Sequence, residues 1–161
     1  MTNDKNESMD WALWFYWIMA TTLGWVLGSI FFKGIPVIVS GVAIAGFQWA
    51  VLHGRIHKAW RWAILSSVGW IVGYILFVLL LPADMGILLG PMMGATVGVA
   101  QWYLLNNEVD WAGWWIIIST LAWTTGLTMI PGLLTSGSLP GALTGLTLVI
   151  LLRFSTPRKS G

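Results

Sequence analysis

Six runs of apolar residues divide the chain, and each is long enough to cross a ~30 Å hydrocarbon core, which takes roughly 20 helical residues. They cover Trp11–Phe32, Pro36–His53, Ala59–Leu81, Met85–Leu105, Trp111–Ile130 and Leu133–Leu152. Between them lie short breaks that are polar or carry Pro/Gly turn chemistry: Lys33-Gly-Ile-Pro36, Gly54 to Lys58, Pro82-Ala-Asp84, Asn106 to Asp110 and Pro131-Gly132. The pattern predicts an all-α integral membrane protein of six transmembrane helices. Ser136-Gly-Ser-Leu-Pro140 interrupts the sixth run, so that helix has room to start later.

A second pattern lies inside the first. Trp17-Ile-Met-Ala-Thr21-Thr22-Leu-Gly24-Trp25-Val-Leu-Gly28 returns 45 residues on, from Trp62 to Gly73 through Ser66, Gly69 and Trp70. It returns 53 residues further, from Trp115 to Gly126 through Ser119, Ala122 and Trp123. Such self-similarity marks an internal repeat. Positions 17, 21, 24 and 28 share one helical face, which reads Trp, Thr/Ser, Gly/Ala, Gly in every copy. The even-numbered helices carry another face: Gly41, Ala45, Gln48, Leu52; then Gly94, Gly98, Gln101, Leu105; then Gly141, Gly145, Leu148, Leu152. Small residues four apart let helices approach closely in a membrane. Gly24, Gly28, Gly69, Gly73, Gly94, Gly98, Gly126, Gly141 and Gly145 are therefore expected to pack helices, the small face of each odd helix against that of the even helix after it.

This organisation gives a polar tail (1–10), one six-helix domain (11–153) built of hairpins at about 11–54, 59–105 and 111–153, and a basic tail (154–161). Three hairpins inserted in the same sense imply a pseudo-threefold bundle about an axis along the membrane normal.

Composition agrees and narrows the classes. Hydrophobic residues make up 57% of the chain and charged residues 9%, which excludes an ordinary soluble domain. The absence of Cys removes disulfides and thiolate chemistry, and a net charge of +2 is too small to suggest a nucleic-acid partner. Asp4, Glu7 and Asp10 oppose the positive n-region of a cleaved signal peptide, so the first helix is expected to be retained. Alternating crossings put Lys5, Arg55, Lys58, Arg61, Arg153, Arg158 and Lys159 on one side and Lys33 alone on the other. By the positive-inside rule both termini are cytoplasmic, in a bacterial inner membrane or one of thylakoid type.

Ten of the thirteen tryptophans, Trp17, Trp62 and Trp115 among them, fall near the cytoplasmic helix ends, as a one-sided aromatic belt would. Trp25, Trp70 and Trp123 lie deeper.

Candidate chemistry is sparse. Gln48 and Gln101 are the only glutamines and occupy equivalent places; either they form interhelical hydrogen bonds, or they contact a ligand or the metal of a pigment. Leu148 stands where a third would be, leaving any glutamine ring incomplete. Thr21/Thr22, Ser66/Ser67 and Ser119/Thr120, with Trp25, Trp70 and Trp123 one turn further out, would line a small cavity if they faced the axis, or pack between helices if they did not. His53 and His57 are an i, i+4 pair but lack a third ligand amid local positive charge; contact with anionic headgroups suits them better than a metal. The middles of the six runs hold no ionisable residue, which opposes an ion-coupled pump and leaves Ser and Thr without an activating base.

Gly-Trp-x2-Gly on one helix and Gly-x3-Gly-x2-Gln-Trp-x2-Leu on the next, with Gly141-Ala-Leu-Thr-Gly145 leading to Arg153, resemble a group of small uncharacterised bacterial multi-pass proteins found in photosynthetic bacteria among others. The resemblance covers nearly the whole chain from the first helix to Arg153. It implies a six-helix repeat membrane protein and transfers no catalytic residue.

The leading expectation is a non-enzymatic binding or assembly module. It would pack against a larger membrane complex or its own copies, or hold a lipid, quinone or carotenoid; the sequence identifies no cofactor. The alternative is a passive channel for a small neutral solute along the threefold axis. An enzyme, resting on His53 and His57 alone, comes third.

Overall fold

A computed structural model describes residues 9–31, 36–56, 58–82 and 84–154. Lys5, Lys33, His57, Arg158 and Lys159 lie outside the described residues. All regular structure among the described residues is helical: α1 (Trp11–Phe31), α2 (Pro36–Leu52), α3 (Trp60–Leu80), α4 (Leu89–Glu108, led in by a 3₁₀ turn at Gly86–Leu88), α5 (Trp114–Thr124) and α6 (Thr135–Phe154). Each helix packs against its neighbours in the chain, and α6 closes against α1, so the six form a ring. Neighbours run antiparallel; Gly24 of α1 faces Ile44 of α2, and Gly28 faces Ser40.

Four stretches, Trp11–Phe31, Trp60–Leu80, Gly86–Glu108 and Thr135–Phe154, are long and apolar enough to cross a membrane. Their outward faces carry large apolar side chains such as Phe31, Leu79, Ile87 and Phe154. The other two helices differ from the expected spans. α2 has 17 residues, roughly 25 Å at 1.5 Å per residue. α5 stops as an α-helix after 11 residues and continues as a π-turn over Thr125–Met129.

A proline of α6 packs against that turn. Pro140 lies inside the helix and cannot donate to Ser136 O, and its ring sits against Gly126, where an added Cβ would lie 2.6 Å from Pro140 Cγ. Widening α5 around Gly126 makes room for the ring and leaves carbonyls to be met in other ways. Ile130 N–H reaches back to Thr125 O at 2.9 Å, and Ser136 Oγ donates to Gly126 O at 2.7 Å. Thus α6 runs through Ser136-Gly-Ser-Leu-Pro140 instead of starting after it.

Glycine sets the spacing of the ring, by a different pairing from the expected small face on small face. Gly24, Gly28, Gly69, Gly73 and Gly126 on the odd helices do face the even helix of their own hairpin. The small-face glycines of the even helices face the following hairpin: Gly41 takes the Trp70 indole of α3, Gly94 and Gly98 take α5 at Ser119–Thr120 and Ile116, and Gly141 and Gly145 take Ile18 and Trp17 of α1. Two glycine faces therefore make two kinds of seam, and alternating them closes a ring where a single kind would leave separate hairpins.

Two apolar clusters fill the interior. One, at the end that carries Arg55, Arg61 and Arg153, is built on Trp17, Trp62 and Trp115 with Leu52, Leu105 and Leu148. The other, towards the opposite end, is built on Ile44, Trp70, Met93, Val97 and Trp123. At the basic end Asp10 caps α1, its Oδ1 accepting from Leu13 N–H at 2.9 Å, and pairs with Arg55 at the end of α2.

Candidate functional site

The structure brings most of the singled-out polar residues into one layer. Trp17, Trp62 and Trp115, one from each odd helix, meet edge to face with ring centroids 5.5, 5.7 and 6.4 Å apart. All three are fully buried. Since α1, α3 and α5 alternate around the ring, their indoles meet at its centre, in the edge-to-face geometry favoured by the ring quadrupole. The belt expected of these three tryptophans is thereby corrected: Trp11, Trp60, Trp111 and Trp114 are exposed, while Trp17, Trp62 and Trp115 form the core. Their place on the same helical face as Thr21, Gly24 and Gly28 was the signal, because that face points inward.

Each central indole N–H has an acceptor on the preceding even helix. Trp62 Nε1 donates to Gln48 Oε1 at 3.1 Å, and Trp115 Nε1 donates to Gln101 Oε1 at 2.9 Å. The amide nitrogens complete the relay within their own hairpins: Gln48 Nε2 donates to Thr21 Oγ1 at 3.1 Å, and Gln101 Nε2 to Ser66 Oγ at 2.9 Å. Thr21 Oγ1 in turn donates to Trp17 O at 2.9 Å. Each glutamine thus ties three helices together.

The third hairpin solves the same problem with other atoms. Leu148, in the glutamine position, is fully buried and apolar. One turn earlier Thr144 Oγ1 accepts from Trp17 Nε1 at 3.0 Å and donates to Pro140 O at 2.6 Å. Ser119, left without a glutamine, donates to Gly94 O at 3.0 Å. The glutamine ring is incomplete, as expected, but every central indole N–H has an acceptor, in the third hairpin through a residue that sequence reasoning passed over. Its signal is readable afterwards: Thr144 stands four before Leu148, where Ile44 and Val97 stand four before Gln48 and Gln101.

The next layer out does not form a three-indole cavity. Trp70 and Trp123 stack edge to face at 4.7 Å, both buried, while Trp25 is only partly buried and packs from the rim with its Cβ beside Gly137. The second members of the hydroxyl pairs turn back on their own helices, Ser67 to Ala63 O at 2.7 Å and Thr120 to Ile116 O at 2.8 Å. Thr22 Oγ1 has no hydrogen-bond partner among the described residues.

Chemically the central layer is self-satisfied. It holds indoles, amides and hydroxyls and no titratable side chain, and each of its three indole N–H groups and both of its glutamine amide nitrogens has an acceptor within the layer. Among the described residues no three of His, Cys, Asp and Glu come together as a metal group. His53 lies at the end of α2, edge to face with Trp49 at 5.8 Å; its expected partner His57 is outside the described residues.

Hollows lie on the outside of the ring, between the two helices of each hairpin. The first, about 390 Å³, is lined by Tyr16, Ala20, Leu23, Phe47 and Arg55. A second, about 360 Å³, is lined by Trp60, Arg61, Ile64, Leu65 and Tyr103. The third, about 320 Å³, is lined by Asp110, Trp111, Trp114, Ile118 and Ile150. No protein-family model, curated protein or solved structure matches this chain.

Proposed function

We propose that the protein is a non-enzymatic membrane module that acts through its outer surface, binding a hydrophobic small molecule such as a lipid, quinone or carotenoid, or packing against a larger membrane complex. The observation that carries this reading is the central layer of Trp17, Trp62 and Trp115, whose polar groups are consumed by Gln48, Gln101 and Thr144. A bundle whose interior bonds only to itself offers its hollows and apolar faces outward.

In this reading all six helices span the membrane, as three repeated hairpins about a pseudo-threefold axis. The near-equivalent roles of Trp17, Trp62 and Trp115 support the repeat. The excess of Lys and Arg at one end supports cytoplasmic termini in a bacterial inner membrane. The chain would then stand beside the small bacterial multi-pass proteins that its Gly-Trp and Gly-x3-Gly-x2-Gln motifs resemble.

Purification from native membranes under mild detergent, followed by mass spectrometry and absorbance, tests the proposal. A co-purifying partner or bound apolar molecule is expected; a monodisperse protein carrying neither overturns it. The filled axis also counts against a passive channel. Cysteine at Thr21, Ser66 or Ser119 is expected to resist a membrane-impermeant thiol reagent, and rapid labelling at all three would revive the channel.

A further inference from the structure

The three odd helices begin at the same end of the ring, and their surroundings differ in charge. α1 is capped by Asp10, whose carboxylate also meets Arg55. The hollow beside α5 has Asp110 in its wall. α3 instead follows Lys58 and carries Arg61 in its first turn; like α5 it has no side-chain cap. Among the described residues neither Lys58 nor Arg61 has a carboxylate within salt-bridge distance.

Both cations line a cavity. Lys58 sits in the left-handed region at φ 55°, a conformation that an L-residue seldom adopts. It lies between two adjoining hollows of about 200 and 230 Å³ that share Ile56, Lys58 and Ala59. The first has Arg61, Asn107 and Glu108 in its wall; the second reaches Trp49, His53 and Trp60. Among the described residues Glu108 is the one carboxylate there, set against two cations.

Apolar surface continues from the polar cavity. Arg61 and Leu104 line both the smaller cavity and the outer hollow between α3 and α4, whose remaining wall includes Ile64, Leu65 and Tyr103. A cationic pocket that runs into a membrane-facing apolar groove matches a molecule with an anionic head and a hydrocarbon tail. In the first groove the lining cation, Arg55, is paired with Asp10, and among the described residues the lining of the third has no Lys or Arg.

We propose that the cavity at Lys58 and Arg61 and the α3–α4 groove form one binding site for an anionic glycerophospholipid. Lys58 and Arg61 meet its phosphate, the N-terminus of α3 adds its partial positive charge, and one acyl chain lies along Ile64, Leu65 and Tyr103. This narrows the outward-acting module proposed above to one lipid class at one of its hollows, and it rests on that reading.

Native mass spectrometry of the full chain from neutral detergent, titrated with phosphatidylglycerol or with phosphatidylcholine of the same acyl chains, provides the test. One phosphatidylglycerol is expected to bind on the order of ten-fold more tightly, with each cation contributing to the preference. Lys58→Gln with Arg61→Gln should abolish the preference. Ile64→Trp, at an exposed position, should weaken binding by filling the groove with every charge intact. Arg153→Gln, on α6, should leave binding unchanged. Equal binding of the two lipids, equal loss in Arg153→Gln, undiminished binding in Ile64→Trp, or displacement of the lipid by soluble glycerol phosphate alone overturns the site. If the lipid preference is absent while a membrane partner still co-purifies, only this site falls and the proposed function stands.

Discussion

The Trp17 indole donates its N–H to Thr144 Oγ1 at 3.0 Å, joining α1 to α6 across 127 residues of chain and closing the ring. The other two central indoles use glutamine amides. The third hairpin carries Thr144 and Leu148 where the others carry Ile44 with Gln48 and Val97 with Gln101, so its polar group stands one helical turn away.

That relocation predicts a compensating pair. Thr144→Val leaves the buried Trp17 N–H without an acceptor and is expected to cost about 1–3 kcal/mol. Leu148→Gln alone buries an amide beside an indole already bonded elsewhere and also destabilises. Together they recreate the arrangement of the other copies, with the introduced amide placed between Trp17 and Ser119, and should recover most of the loss. Unfolding by SDS titration from mild micelles measures all four proteins; a double variant no better than the worse single variant would sink the idea.

Glycine seams make a sharper contrast within one helix. An added Cβ at Gly41 would overlap the Trp70 ring, whereas one at Gly46 would meet nothing within 4 Å. Gly41→Ala should therefore destabilise by at least about 1–3 kcal/mol through overpacking. Gly46→Ala should be neutral or stabilise by up to about 1 kcal/mol through helix propensity. Thermal melts of the two variants in the same detergent compare them directly.

Gly126 and Pro140 should behave as a coupled pair. The Gly126→Ala methyl would strike Pro140 Cγ and Cδ, at 2.6 and 2.8 Å, while the next atom, Ser136 O, is 3.2 Å away. Gly126→Ala is expected to be severe alone and milder on a Pro140→Ala background, where the ring is gone. A double-mutant cycle reads the coupling, expected at about 0.5–3 kcal/mol; strict additivity would show that the ring does not shape the π-turn.

The N-terminal anchor should depend on pH. Burial raises the Asp10 carboxyl, but the Leu13 N–H, Arg55 and the Ala12 N–H lower it by more, so it titrates below the usual 3.8. A depressed carboxyl stabilises the folded form above its unfolded value and loses that contribution as pH falls through the folded one. Exchange of the first-turn amides of α1 should thus be flat from neutral pH down to about 4 and rise, relative to intrinsic rates, in more acid solution. Asp10→Asn keeps a cap but not the charge, and should remove this acid step with little effect at neutral pH, since the Arg55 pair is largely exposed. An unchanged acid step in Asp10→Asn would assign it to another group.

Helix number and most boundaries followed from hydrophobic run lengths, because each run stays apolar over helical lengths and the breaks between runs carry the Pro, Gly and polar residues at which helices end. The inward face was also legible: Trp17, Thr21, Gly24 and Gly28 match Trp62, Ser66, Gly69 and Gly73 and then Trp115, Ser119, Ala122 and Gly126, and a pattern that returns on one helical face points to a shared environment. Periodicity identifies a face without naming its partner. Tertiary structure alone decided that the even-helix glycines meet the next hairpin, that Trp17, Trp62 and Trp115 meet one another instead of the headgroups, and that Thr144 stands in for a third glutamine. Those outcomes depend on closing six helices into a ring, where a side chain's neighbour is set by rotation about the helix axis and by contacts more than a hundred residues apart, neither of which a local pattern encodes.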